Sequence, residues 1–134
     1  MSVSLSGVHI LVDDPAAALT FYRDHLGLSL VNTVENGGYT WLVLATQSQP
    51  EVQIVLEHPH GGRSPENGEA VAALLAKGEL QMVNFQADNL DETFERVAAA
   101  PGAEVLQEPA DQPWGARDFA VRDPAGNLLR IAEA

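Results

Sequence analysis

Cysteine is absent from the 134 residues, which excludes disulfides, thiolate metal sites and cysteine nucleophiles while saying little about compartment. No apolar run approaches the roughly 20 residues needed to cross a bilayer, and the first residues lack the basic-then-apolar pattern of a secretory signal. The expectation is a soluble, cytoplasmic protein that does not enter a membrane. Positive charge is scarce. Seven Lys and Arg stand against 19 Asp and Glu, a net charge of -12, which repels nucleic-acid phosphates and anionic lipid and argues against both as partners. The same excess favours a cationic small ligand, although a solvated acidic surface that aids solubility accounts for it equally well. Also missing are a nucleophile elbow, a phosphate-cradling glycine loop and a paired-carboxylate signature.

What the chain does contain is 46% hydrophobic residues, enough for one compact core at this length. It also contains an internal echo. Shifted by 75 residues, the segment from His9 to Phe21 lies over that from Asn84 to Arg96, each an alternating strand that runs into an Asp-rich helix start. In the first copy Asp14 caps a helix, Pro15 takes its first position, and Ala18, Phe21, Tyr22 and Leu26 recur at helical spacing until Gly27. In the second, Asn89 and Glu92 have capping-box spacing, with Phe94 and Val97 as the buried stripe.

Three strands follow each helix. Residues near 29 to 34, 39 to 45 and 51 to 57 alternate in the first copy, with Glu35-Asn-Gly-Gly as a hairpin turn. Residues 103 to 107, 117 to 122 and 128 to 133 do so in the second, the last two joined by Asp123-Pro-Ala-Gly-Asn. Each copy is therefore βαβββ, spanning about residues 1 to 60 and 79 to 134 of a single domain. Between them, residues 61 to 78 form a connector whose helix starts at Ser64, turns Val71, Leu74 and Leu75 to one side and ends at Gly78.

Paired βαβββ units, with Phe21-Tyr-Arg-Asp-His-Leu-Gly-Leu after the first strand and Asp123-Pro-Ala-Gly-Asn before the last, resemble the vicinal oxygen chelate superfamily over the whole chain. That superfamily includes glyoxalases, extradiol dioxygenases and bleomycin-resistance proteins. The resemblance implies an α+β fold in which the two modules form a curved, incompletely closed barrel with helices outside and ligand in the concavity. It also implies a homodimer, in some members with exchanged strands.

Strand alternation assigns the two faces. Val8, Ile10 and Val12, like Val83, Phe85 and Ala87, are suited to packing under helices. Gly7, His9 and Leu11, with Met82, Asn84 and Gln86, then face the concavity, as do Gln53, Val55 and Glu57, and Leu128 and Arg130. In metal-dependent relatives two His, or His and Gln, and two Glu hold a divalent ion at positions that here read Gly7, Met82, Val55 and Arg130. None is a conventional hard-metal ligand, and a guanidinium repels a cation. No metal is expected at the usual place. A displaced site from His9, Gln53 and Glu57 stays open, and a shift of two residues in the strand would carry Glu57 onto the ligand position. His58 and His60 are expected in a solvent-facing turn around Pro59.

The segment Gln112-Pro-Trp-Gly-Ala-Arg-Asp-Phe-Ala-Val-Arg-Asp-Pro-Ala-Gly-Asn is similar to that of the bleomycin-resistance branch, whose members sequester an antibiotic without turning it over. That similarity implies a drug-groove role for Trp114, to which Tyr39 and Trp41 could add stacking surface. Arg130 calls for an acidic partner, either Glu57 or an anionic group on the ligand. The reading reached is a protein that binds a small, partly aromatic molecule, in resistance or sequestration, with no cofactor. Its ligand-contacting set is His9, Tyr39, Trp41, Gln53, Glu57, Met82, Asn84, Gln86, Trp114 and Arg130. The alternative is a metal-dependent lyase, isomerase or extradiol-type dioxygenase with a displaced divalent ion, and a third option is a metal-free isomerase using His9 as base.

Overall fold

The computed structural model describes residues 2–134 and arranges them as two four-stranded mixed sheets. In chain order the elements are β1 (Gly7–Leu11), α1 (Pro15–Leu19), β2 (Ser29–Asn36), β3 (Tyr39–Ala45), β4 (Gln53–Glu57), α2 (Pro65–Ala76), β5 (Met82–Ala87), α3 (Leu90–Ala98), β6 (Glu104–Asp111), β7 (Arg117–Arg122) and β8 (Leu128–Glu133). The first sheet has the order β1-β4-β3-β2 and the second β5-β8-β7-β6. Each module is thus βαβββ with its first strand parallel to its last, and the sheets do not close into a barrel. Strands β4 and β6 differ from expectation at their ends, β4 starting two residues later and β6 running on to Asp111.

The helices start where the capping residues place them. Asp14 accepts the amides of Ala16 and Ala17 at 3.0 and 3.2 Å, and Asn89 accepts that of Glu92 at 3.2 Å. Glu92 returns to the Asn89 side-chain amide rather than to its backbone, so the box closes between side chains. Helix α1 continues as a π-helical turn, Thr20–His25, where the Leu26 amide reaches the Phe21 carbonyl at 2.9 Å. Periodicity gave no sign of it. This wider winding lets the consecutive rings of Phe21 and Tyr22 both enter the core, edge to face at 4.9 Å.

The core lies between helices and sheets, where Ile10, Leu44, Leu56, Val97, Phe119 and Leu129 are fully enclosed. Helix α2 contributes little to it. Of the expected stripe only Leu75 is buried, whereas Leu74 is exposed and Val71 half-buried, because α2 bridges the modules instead of lying on a sheet. His60 packs against Gly68 near its start, where any side chain would collide with the imidazole.

Polar side chains join the modules across the edges of β1 and β5. The Gln81 amide donates to the His9 carbonyl at 2.7 Å and accepts the Leu11 amide at 3.0 Å, as a neighbouring strand would. The buried Asp123 does more. Its Oδ1 accepts the amides of Ala125, Gly126 and Asn127, closing the β7–β8 turn, and its Oδ2 accepts the Tyr22 hydroxyl at 2.6 Å. Asn127 in turn donates to Asp123 and to the Leu11 carbonyl. Burial, followed by the charge and hydrogen bond of Asp123, pushes the Tyr22 hydroxyl well above its usual range, so it stays a donor. The Asp-Pro-Ala-Gly-Asn signature therefore fastens one module to the other.

Candidate ligand-binding site

Strand register fixes what each face presents. His9 pairs with Val55 and, 75 residues on, Asn84 pairs with Arg130. Val55 and Arg130 are therefore equivalent central positions. Glu57 lies one inward-facing step beyond, opposite Leu11, which removes the possibility that it slides onto the ligand position.

Arg130 does not meet Glu57. Its Nη1 donates to Asp118 at 3.1 Å and to Gln107 at 3.3 Å, because Asp118 pairs with Ala132 and so sits diagonally across β7 and β8 on the same face. Asp118 is only 2% exposed. Burial raises its carboxyl, but hydrogen bonds from Gln112, Arg130 and Gln107 outweigh this and hold it below the usual carboxylate range. Reading parity along Arg117–Arg122 would have found this partner, since Asp118, Ala120 and Arg122 share the face of Arg130.

Gln112 also shapes the loop beyond β6. Its side chain reaches Asp118 at 2.8 Å and its backbone closes a turn with Gly115 and Ala116. Gly115 takes φ 94°, a conformation open to glycine. Trp114 at the tip is 66% exposed, with the Arg130 guanidinium 6.0 Å from its ring centre.

A cleft of about 810 Å³ opens beside this group, between the modules. Module two supplies Val83, Asn84, Phe85, Gln86, Trp114 and Arg130, and module one supplies Val8, Thr46, Gln49, Val52 and Ile54. Four of the ten expected contact residues, Asn84, Gln86, Trp114 and Arg130, line it together. The other six do not. Met82 is exposed one step along β5, and His9, Tyr39, Trp41, Gln53 and Glu57 lie on the inward face of the first sheet.

There Glu57 accepts the Trp41 indole at 3.1 Å and lies 3.5 Å from His9 and 3.8 Å from Arg63. Trp41, with Val34, Val43 and Val55, borders a separate shallow cleft of about 340 Å³. Gly61 lets the indole lie against the backbone. The histidines that follow are not freely solvated as expected. Pro59 and Gly61 are buried and fold the turn back, stacking Tyr39, His58 and His60 at ring separations of 5.1 and 5.5 Å. Burial and then the neighbouring His60 hold His58 below its usual range against the opposing pull of Asp13.

At the four positions that a metal-binding relative would use, Gly7, Val55 and Met82 offer no ionic donor and Arg130 carries a positive charge neutralised by Asp118. That set does not fit a divalent cation. Among the described residues no three His, Asp or Glu side chains gather elsewhere as a metal site, and no helix is long and apolar enough to cross a membrane.

The description Glyoxalase/Bleomycin resistance protein/Dioxygenase superfamily matches residues 4–131. The chain belongs to this superfamily. Among solved structures of the superfamily's fold, UcmS2 is 30% identical, with 100% of each chain covered and a TM-score of 0.86. TnmS3, an antibiotic binding protein from Streptomyces sp. CB03234, is 22% identical over 99% of this chain and 98% of its own, with a TM-score of 0.73. A lactoylglutathione lyase from Agrobacterium tumefaciens is 23% identical over 100% and 96%, with a TM-score of 0.69. No curated protein matches the chain.

Proposed function

We propose that this protein binds a small, partly aromatic molecule in the cleft beside Trp114, holds it without chemical turnover and needs no metal to do so. One observation carries the reading: where the fold could hold an ion, a neutralised Arg130–Asp118 pair stands next to an exposed tryptophan and an apolar cleft large enough for a drug-sized ligand. TnmS3, an antibiotic binding protein of the same fold, supports a sequestering role, and resistance to a toxic compound is the physiological setting it favours. Inward faces left open in the single chain, with Met82, Val34 and Trp114 exposed, favour a homodimer that covers them.

Tryptophan emission titrated with planar aromatic and glycopeptide compounds tests the proposal. A binder should quench emission saturably, and Trp114→Ala should weaken it about tenfold or more, from loss of stacking and buried area. Emission unchanged across the whole panel sinks the reading.

A further inference from the structure

The cleft has a built-in electrostatic preference, and its origin is the pairing of Arg130. A guanidinium lining a pocket ordinarily invites an anion. Here the nearest carboxylate is internal: Asp118, buried, ionised and 3.1 Å from Nη1. Local charge is therefore zero, inside a chain of net charge -12. An incoming anion would feel the negative charge of Asp118, which also lines the cleft, as well as the positive charge of Arg130, within an overall field that repels it.

The hydrogen-bonding capacity of Arg130 is not exhausted in the same way. Both protein contacts use Nη1. Among the described residues Nε and Nη2 have no partner, and the side chain remains 31% exposed at the cleft. Asp118 and Gln107 fix the guanidinium, so its free N–H edge is held in place before any ligand arrives, which lowers the entropy lost on binding. Trp114 lies alongside, and Val83 and Phe85 contribute apolar wall.

Resting on the binding role proposed above, we infer that the cleft selects uncharged planar aromatic molecules bearing an oxygen acceptor conjugated to the ring, and discriminates against aromatic anions of the same shape. The ring takes the Trp114 side of the cleft, and the acceptor oxygen takes the free edge of Arg130. Asp118, which borders the cleft with Arg130, is the specificity-determining residue, because its charge decides whether the site is neutral or cationic.

Equilibrium dialysis of the full chain against 2-acetylnaphthalene, 2-naphthoate and 2-ethylnaphthalene tests this. The ketone should bind about tenfold more tightly than either of the others. Asp118→Asn, an isosteric change that unmasks the Arg130 charge, should move the ratio of naphthoate to ketone affinity about tenfold toward naphthoate. Arg130→Met should erase the advantage of the ketone over the ethyl compound, and if that variant fails to fold, the Asp118→Asn ratio still decides. Naphthoate binding as tightly as the ketone to the unaltered protein, equal binding of ketone and ethyl compound, or an unchanged ratio in folded Asp118→Asn each overturns the inference while leaving aromatic binding intact. Binding of none of the three overturns it together with the pocket reading.

Discussion

The two modules repeat one topology, yet their matching turns and faces do different things. In module two the β7–β8 turn is built on buried Asp123, which reaches back to Tyr22 and, through Asn127, to β1. Seventy-five residues earlier stands Ser48, in an exposed turn whose residues form part of the cleft wall. The inward faces differ likewise. Module two sets a partly exposed Arg130 on a buried Asp118 beside an exposed tryptophan, whereas module one keeps Glu57 within reach of Trp41, His9 and Arg63 above a shelf of valines. A duplicated unit need not duplicate its labour: one copy supplies the fastening and the Arg130–Asp118 pair, and the other supplies much of the opposite cleft wall.

The largest effect expected from this asymmetry is at Asp123. Replacing it with Ala leaves the Ala125 and Asn127 amides, the Tyr22 hydroxyl and one N–H of the Asn127 side chain without their acceptor, while Gly126 keeps the backbone carbonyl of residue 123, and should lower stability by about 3–5 kcal/mol in denaturant unfolding. A loss below 1 kcal/mol would break the comparison at its root.

Asp118→Ala comes next. It removes the carboxylate beside Arg130 and one acceptor from each of two glutamine amides, which keep other partners, and about 2–4 kcal/mol is expected, below the full buried-pair range because Arg130 is partly solvated and keeps Gln107. The pH dependence sharpens this. Since the folded Asp118 carboxyl ionises below its usual range, its stabilisation is fully present above about pH 4 and is lost as pH falls through the lower folded value. Asp118→Asn should accordingly flatten the acid limb of stability against pH relative to the unaltered protein, measured by thermal melts between pH 2 and 6; superimposable limbs would contradict the assignment.

Glu57→Gln tests module one. The amide can still accept from the Trp41 indole, so the loss should be about 1 kcal/mol, with a shift in tryptophan emission. Metal analysis of protein purified without chelator separates the readings of this cluster. Stoichiometric divalent ion that disappears in Glu57→Gln or His9→Ala would turn it into a metal centre and overturn the metal-free proposal. Smallest of all, Ser48→Ala should change stability by less than about 0.5 kcal/mol, in contrast to its counterpart Asp123.

Much of this is legible in the sequence. The shift of 75 residues, the capping residues Asp14 and Asn89, and alternation in each final strand carried the two-module fold and the absence of carboxylates at Gly7, Val55, Met82 and Arg130. Periodicity missed the π-helical turn at Thr20–His25, because Phe21, Tyr22 and Leu26 also fit an ordinary helix. It placed Leu74 inside α2 because an amphipathic pattern does not say how many neighbours a connector helix will find. The turn at Pro59 looked solvent-facing because the sequence does not reveal that Gly61 and Gly68 admit neighbouring rings.

Local patterns are enough to fix which residues share a strand face, since side-chain alternation is a property of the backbone alone. From them the sequence by itself determined the repeat and the strand and helix order, while the resemblance implied that Gly7, Val55, Met82 and Arg130 stand where metal-dependent relatives place their ligands. Which groups meet is a matter of how separate strands and modules are laid against one another, and only the tertiary structure decided it. It gave Arg130 to Asp118 rather than to Glu57, divided the ten expected contact residues between two faces, and turned Asp123 inward to hold Tyr22. Those choices depend on distances across the sheet and between modules, to which residues 12 to 101 positions apart in the chain contribute together, and no local periodicity encodes them.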